Sequence, residues 1–313
     1  MKLVFMGTPD YAVAALKALI EAGHQIAAVV TQPDKPKGRG KEMQMTPVKS
    51  CALQYDIPVF QPVKVKAPEA VETLRSYEAD AFIVAAFGQI LSEEILRMPG
   101  YGCINIHASL LPKYRGAGPI QQAILEGENE SGVTIMQMDK GIDTGDILMQ
   151  SVVPIEEKET GDSLHDKLAA AGAKLIVEAL PRIEAGELTP VKQDDTRSCY
   201  AGMLQKSMGE IHWENEAAHI ERMVRALNSW PSAYTFYHGK TLKIWESDVD
   251  QEDAHIASAV PGTITAVEKD AFYVRTKDVA LKVTAVQLEG KKRMTVKDFL
   301  LGNQIKTGDV LGK

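Results

Sequence analysis

The sequence predicts two domains of different class: an α/β domain with a Rossmann-like, doubly wound, mostly parallel sheet, followed by a small OB-like β-barrel. Three observations lead there. The chain has 313 residues, more than the roughly 250 at which single cores stop growing. Its first half alternates short, continuously apolar runs with segments of helical period, the pattern of parallel strands covered on both faces. After Glu184 the runs shorten and alternate, as strands with one solvated face do. The expected division is a first domain over 1–189, a linker over 190–208 and a second domain over 209–313.

In order, Leu3-Val4-Phe5-Met6 reads as a buried strand, and Pro9-Asp10 opens a helix with Val13, Leu16, Leu19 and Ile20 at helical spacing. Gly23 ends it, and Ile26 to Val30 is the second strand. Val48 to Tyr55 and Glu69 to Tyr77 carry helical periods, while Ala81 to Ala86 and Cys103-Ile104-Asn105-Ile106 predict further buried strands. Val133 to Met138 and Ile147 to Val153 follow as strands around a Gly/Asp loop. Ser163 to Ile183 then predicts one long helix through Leu164, Leu168, Leu175, Ile176 and Leu180. No period is sustained from 184 to 209. Glu214 to Leu227 is helical, and five short strands are expected within Ala233 to Leu288, which makes a small barrel the economical closure.

Composition removes several classes. At 45% hydrophobic and 25% charged, the chain is too apolar for disorder and lacks the Gly or Pro bias of a fibre. The longest apolar stretch, Ala81 to Leu91, falls short of the about 20 residues a membrane span needs. No secretory hydrophobic region opens the chain, so a cytoplasmic location is expected, with a monomer as the default state. Cys51, Cys103 and Cys199 are isolated, so neither a CxxC pair nor a disulfide framework forms. No metal is expected. A formal net charge of −7 argues, on average, against a nucleic-acid partner.

In a doubly wound sheet, ligands bind beyond the carboxyl ends of the strands. That rule selects Gly7-Thr8-Pro9-Asp10, Phe87-Gly88-Gln89 and His107-Ala108-Ser109. The first lacks the glycine spacing of a dinucleotide or Walker loop, so no nucleotide cofactor is expected. Strand alternation puts Asn105 and His107 on one face. There an amide and an imidazole can donate to one developing oxyanion; equally, Asn105 can satisfy a turn and His107 can be a hydrogen-bonded core histidine. The run from Met138 to Asp146 holds Asp139, Asp143 and Asp146 among glycines. It is either a polar hairpin loop or the source of a carboxylate for the imidazole. Lys35-Pro36-Lys37-Gly38-Arg39-Gly40-Lys41 concentrates Lys35, Lys37, Arg39 and Lys41 in a segment whose glycines and prolines should keep it out of regular structure. It is a solvated loop or a contact for phosphates.

Taken together, Gly7-Thr8-Pro9-Asp10, Thr31-Gln32-Pro33-Asp34, Gly38-Arg39-Gly40-Lys41, Asn105-Ile106-His107, Ser109 to Ala117, Val133-Thr134-Ile135-Met136, Asp143-Thr144-Gly145-Asp146 and Asn228-Ser229-Trp230-Pro231 span nearly the whole chain. In this order they resemble the methionyl-tRNA formyltransferase branch of the folate-dependent formyltransferases. The resemblance implies that Asn105, His107 and Asp143 are the catalytic trio. It implies that Ser109, Leu110, Leu111 and Pro112 bind tetrahydrofolate, with Gly88, Gln89, Ile90, Leu91 and the turn from Asp139 to Asp143 wrapping the pterin. The donor is then 10-formyltetrahydrofolate and the acceptor the α-amino group of initiator methionyl-tRNA. Asn105 and a donating His107 are expected to stabilise the tetrahedral oxyanion, with Asp143 managing the proton. A formyl transfer to a small amine is the alternative within the wider family, and the Gly-Arg-Gly-Lys loop favours tRNA. A non-catalytic RNA-binding role is disfavoured by the intact trio.

The net charge is unevenly spread. Residues 207–260 hold 4 Lys+Arg against 9 Asp+Glu, whereas residues 261–313 hold 10 against 6. Lys291, Lys292 and Arg293 form the densest cluster of that last segment. With the loop from Lys35 to Lys41 it gives two separate positive regions for an RNA backbone.

Overall fold

In a computed structural model that describes residues 1–37, 42–250 and 259–312, the first apolar run forms β1 (Lys2–Gly7). Leu3 to Met6 are fully buried there, because helices cover both faces of a parallel sheet. β1 pairs in parallel with β2 (Gln25–Val30). The chain next makes a two-stranded antiparallel ladder of β3 (Lys35–Lys37) on β4 (Glu42–Gln44). β5 (Val59–Phe60), β6 (Ala81–Ala85) and β7 (Cys103–His107) complete the parallel part. β8 (Arg115–Gly116) leaves the sheet, which β9 (Glu130–Gln137) and β10 (Ile147–Pro154) then extend by antiparallel pairing. The seven-stranded order is β10-β9-β7-β6-β1-β2-β5, and β11 (Tyr200–Ala201) pairs with β8 apart from it.

The helices follow the sequence signals closely. Tyr11–Glu21 starts at Asp10, whose carboxylate accepts from the Tyr11 N–H. Pro47–Gln54 starts at Thr46, whose hydroxyl accepts from the Lys49 N–H, with proline in the first turn where no N–H is missed. The long helix is Gly161–Glu184, and Leu164, Leu168, Leu175, Ile176 and Leu180 are all buried. In the segment from Lys35 to Lys41, Lys35–Lys37 departs from the expected irregularity by pairing with Glu42–Gln44 in the β3–β4 ladder, and residues 38–41 lie outside the described residues. Pro36 is tolerated because both strands of such a ladder have a free edge.

Residues cluster into two units: Met1–Pro119, Glu130–Pro154 and His165–Gly202 form one, and Ile120–Asn129, Ile155–Leu164 and Met203–Lys313 the other. The segment from 190 to 202 belongs to the first, where Val191 bridges Ile147 and β11 pairs with β8. In the second unit the strands are β12 (Ala233–Tyr237), β13 (Lys240–Val249), β14 (Ile264–Val267), β15 (Phe272–Arg275), β16 (Ala280–Leu288) and β17 (Met294–Thr295). All pair antiparallel in the order β12-β13-β16-β15-β14, with β17 on β16. The two edges, β12 and β14, are joined by residues 308–312. Gly308 N–H donates to the Ile264 carbonyl and Gly312 N–H to the Phe236 carbonyl, each at 2.8 Å. That stitching closes the sheet into a barrel around Leu242, Ile244, Phe272, Val274, Leu281 and Val283. Helix Ala217–Ala226 lays Ala217, Ile220, Met223 and Val224 against the same core. Among the described residues no helix is long and apolar enough to cross a membrane.

Candidate active site

β7 carries Asn105 and His107 to the carboxyl edge of the sheet. Two residues apart, they share a face, and both are buried, at 8% and 6% exposure. The turn after β9 is folded over that face: Gln137 N–H donates to the Asp146 carbonyl at 2.9 Å, and Met138 N–H to the Cys103 carbonyl at 2.8 Å. Gly145 permits this approach, since a Cβ there would stand 1.8 Å from the Gln137 carbonyl oxygen. Asp143 is thereby laid beside the pair. Its Oδ1 accepts from Asn105 Nδ2 at 3.3 Å, and its Oδ2 stands 3.6 Å from His107 Nδ1.

Three consecutive residues, Tyr114 to Gly116, serve all of this. His107 Nε2 lies 3.0 Å from the Tyr114 carbonyl, which only accepts, so Nε2 carries its proton there and Nδ1 is the nitrogen turned to Asp143. Gly116 N–H donates to Asp143 Oδ2 at 2.9 Å. Arg115 donates from Nε and Nη2 to Gln193 Oε1, at 3.1 and 2.9 Å. Gln193 in turn donates to the carbonyls of Asp143 and Gly145, at 2.8 and 2.7 Å. Asp143 has φ +53° and Tyr114 φ +59°, backbone that costs a side-chain-bearing residue about 1–2 kcal/mol and needs such restraint.

The segment after His107 is held from within. Ser109 is fully buried and its hydroxyl donates to the Lys113 carbonyl at 2.6 Å. Thr134 Oγ1 donates to the Ser109 carbonyl at 2.7 Å and accepts from the Leu111 N–H at 3.1 Å. Leu110 and Pro112 remain partly open beside buried Leu111. After neighbouring β6 the chain turns through Gly88, at φ +83°. Gln89 spends its amide on Val65 N–H and the Pro62 carbonyl, Leu91 is buried and Ile90 is exposed. Asp139 Oδ1 accepts from Gly141 N–H and Thr144 Oγ1, closing the turn that presents Asp143.

The cysteines divide sharply. Cys51 and Cys103 are buried, and burial pushes the Cys103 thiol up to about 12. Cys199 is exposed, and its Sγ accepts from the Tyr114 N–H at 3.2 Å. Among the described residues no group of three His, Cys, Asp or Glu side chains is placed to hold a metal.

The formyl transferase family model matches residues 1–180, and the formyl transferase C-terminal domain model matches residues 203–304. The chain belongs to the formyl transferase family. Methionyl-tRNA formyltransferase of Lachnospira eligens is 53% identical over 100% of both chains, and that of Agathobacter rectalis is 53% identical over 98% of each. Among solved structures, HypX from Aquifex aeolicus in complex with tetrahydrofolic acid superposes with a TM-score of 0.64 at 17% identity, covering 98% of this chain and 50% of that one. An N-formyltransferase from Helicobacter canadensis, complexed with folinic acid and dTDP-3-aminofucose, gives 0.63 at 20% identity over 94% and 100%. These two share the fold.

In this formyl transferase, then, the structure brings Asn105, His107 and Asp143 together. Lys35 is exposed on β3; Arg39 and Lys41, and the side chain of Lys37, lie outside the described residues. At the base of the ladder Lys49 holds the Asp34 carboxyl below the usual range, helped by Gln61. Lys291, Lys292 and Arg293 are exposed between β16 and β17, and Arg293 pairs with Glu246 while its guanidinium lies 5.1 Å from the Trp245 ring centre. Sequence reasoning gave no role to Gln193, nor separate roles to Tyr114, Arg115 and Gly116. Gln193 and Arg115 bond to each other and Gly116 to Asp143 across 27 to 78 residues of sequence, which no local pattern announces.

Proposed function

We propose that this enzyme moves the formyl group of 10-formyltetrahydrofolate to the α-amino group of methionine esterified to initiator tRNA, giving N-formylmethionyl-tRNA for translation initiation in the cytoplasm. The observation that carries the chemistry is the Asn105–His107–Asp143 cluster at the carboxyl edge of the sheet. Support for a folate donor comes from the two fold relatives solved with tetrahydrofolic and folinic acid. Support for the acceptor comes from relatives alike over the whole length.

The neutral amine attacks the formyl carbon and a tetrahedral oxyanion forms. Asn105 Nδ2 has two hydrogens, one given to Asp143 and the other available to the oxyanion. One such donor is worth roughly 3–4 kcal/mol in comparable sites. His107 Nε2–H is hydrogen-bonded to the Tyr114 carbonyl, so the ring meets the reaction only through Nδ1, which faces Asp143. The amine's proton passes by this pair toward N10 of the departing tetrahydrofolate, and no covalent enzyme intermediate is needed. Ser109 to Pro112, Gly88 to Leu91 and Asp139 bound the space for the pterin, mostly with backbone groups. Lys35, Lys37, Arg39 and Lys41, and separately Lys291 to Arg293, supply phosphate contacts to tRNA. The deciding experiment compares formyl transfer to charged initiator tRNA, charged elongator tRNA and small amines. Preference for a small amine would overturn the acceptor assignment.

A further inference from the structure

Gln193 lies 50 residues beyond Asp143 and touches no reacting group, yet every hydrogen-bonding position of its amide is used, and all of it at the site. Its Nε2 has two hydrogens, and they go to the Asp143 carbonyl at 2.8 Å and the Gly145 carbonyl at 2.7 Å. Its Oε1 has two lone pairs, and they take Arg115 Nε at 3.1 Å and Nη2 at 2.9 Å. Carbonyls only accept and a guanidinium only donates, so the amide has one allowed orientation. Gln193 is buried at 7% exposure, and the Arg115 side chain is 11% exposed. The same Arg115 Nη2 also donates to Asp195 Oδ1 at 2.7 Å.

We infer that Gln193, oriented by Arg115, is a positioning residue for formyl transfer: it holds the left-handed backbone at Asp143 so that the carboxylate meets Asn105 and His107 together. The geometry requires a restraint of this kind. Gly116 N–H fixes only the carboxylate end, and the backbone at φ +53° relaxes toward negative φ unless the carbonyls on either side of Thr144 are held. The clamp also couples the two ends of the catalytic turn, because Arg115 sits between Tyr114, which receives His107 Nε2, and Gly116, which binds Asp143. A displacement of Gln193 therefore moves the carboxylate relative to the imidazole without touching either. The inference rests on Asp143 being catalytic.

The test is steady-state formyl transfer to methionyl-tRNA by the full chain. Gln193→Ala should lower kcat at least about tenfold while the KM for the formyl donor moves less than about threefold, the split expected when a transition-state interaction alone is lost. Gln193→Glu has the same shape but presents acceptors to two carbonyls, so it should be no better than the alanine variant. Arg115→Met should follow in the same direction. In an Asp143→Asn background, Gln193→Ala should cost less than about twofold further, because residues acting through one group are not additive. Thermal unfolding of each variant shows that it is folded under assay conditions. Near-parental kcat in Gln193→Glu, or an equal loss from Gln193→Ala in both backgrounds, overturns the positioning role. Near-parental activity of Asp143→Asn alone overturns the catalytic reading itself, so the two failures are told apart.

Discussion

Asp143 is gripped at both ends: Asn105 and Gly116 bind its carboxylate and Gln193 its carbonyl. The carboxylate thereby sits within ion-pair range of His107 Nδ1, whose other nitrogen is committed to Tyr114. If this arrangement carries the reaction, Asp143→Asn, which keeps the shape and removes the charge, should slow formyl transfer at least about a hundredfold. His107→Ala should do the same, and single-turnover rates with charged initiator tRNA measure both. Folded variants turning over near the parental rate would refute the assignment. Asn105 and His107 were legible as neighbours because strand alternation places residues two apart on one face. Asp143 was legible as a candidate, but its position was not. It depends on the Gln137–Asp146 closure and on Gly145 having no Cβ, contacts that only the folded turn makes.

Among the elements, one of the shortest bears directly on the proposed site. β8 is two residues long, and its pairing with β11 places Gly116 at φ +107° with the Ala201 carbonyl so near that a Cβ would stand 2.6 Å from it. Gly116→Ala should therefore cost about 2 kcal/mol or more, and should slow formyl transfer as well, because the same residue's N–H binds Asp143. Thermal unfolding and the rate assay read the two effects separately. The long parallel strands were readable because covered faces force continuous apolar runs. β8 and β11 were not, since two residues show no period. The β3–β4 ladder corrects the expectation of irregular structure at Lys35 to Lys37. The cations from Lys35 to Lys41 are still expected to meet phosphate: Arg39→Ala should raise the KM for tRNA and flatten its salt dependence, while donor binding is unchanged. Unchanged tRNA kinetics would leave the segment merely solvated.

On the scale of the molecule, the change of pattern after Glu184 separated two kinds of packing correctly, a covered parallel-rich sheet and an antiparallel one with alternating burial. A barrel was expected from the run of short strands, but the residues that close it were not readable, because the closure is made by backbone bonds from residues 308–312 to two distant edges. Leu311, 3% exposed, anchors that stretch. Leu311→Ala should destabilise the barrel by about 2–4 kcal/mol in denaturant unfolding. Asp309 sits in the same stretch, and its carboxyl is held below the usual range by the Lys306 N–H and by Tyr237. A lowered folded value means its stabilisation is fully present above the ordinary carboxylate range and fades as pH falls through the folded value. Asp309→Asn should thus lower the melting temperature at neutral pH, and the gap from the parent should narrow on acidification below about pH 4. A gap that widens in acid would contradict this.

Of the three cysteines, the two inside the parallel-sheet unit's core are shielded and hold their protons, whereas Cys199 faces solvent. Its sulfur is hydrogen-bonded to the N–H of the residue whose carbonyl receives His107. One exposed labelling handle is thus tied to the turn that assembles the proposed active site. A small thiol reagent should modify a single position, and its rate should slow when substrates tighten that turn. The same sulfur offers a place for a fluorophore that reports assembly of the site without any cysteine having to be added or removed.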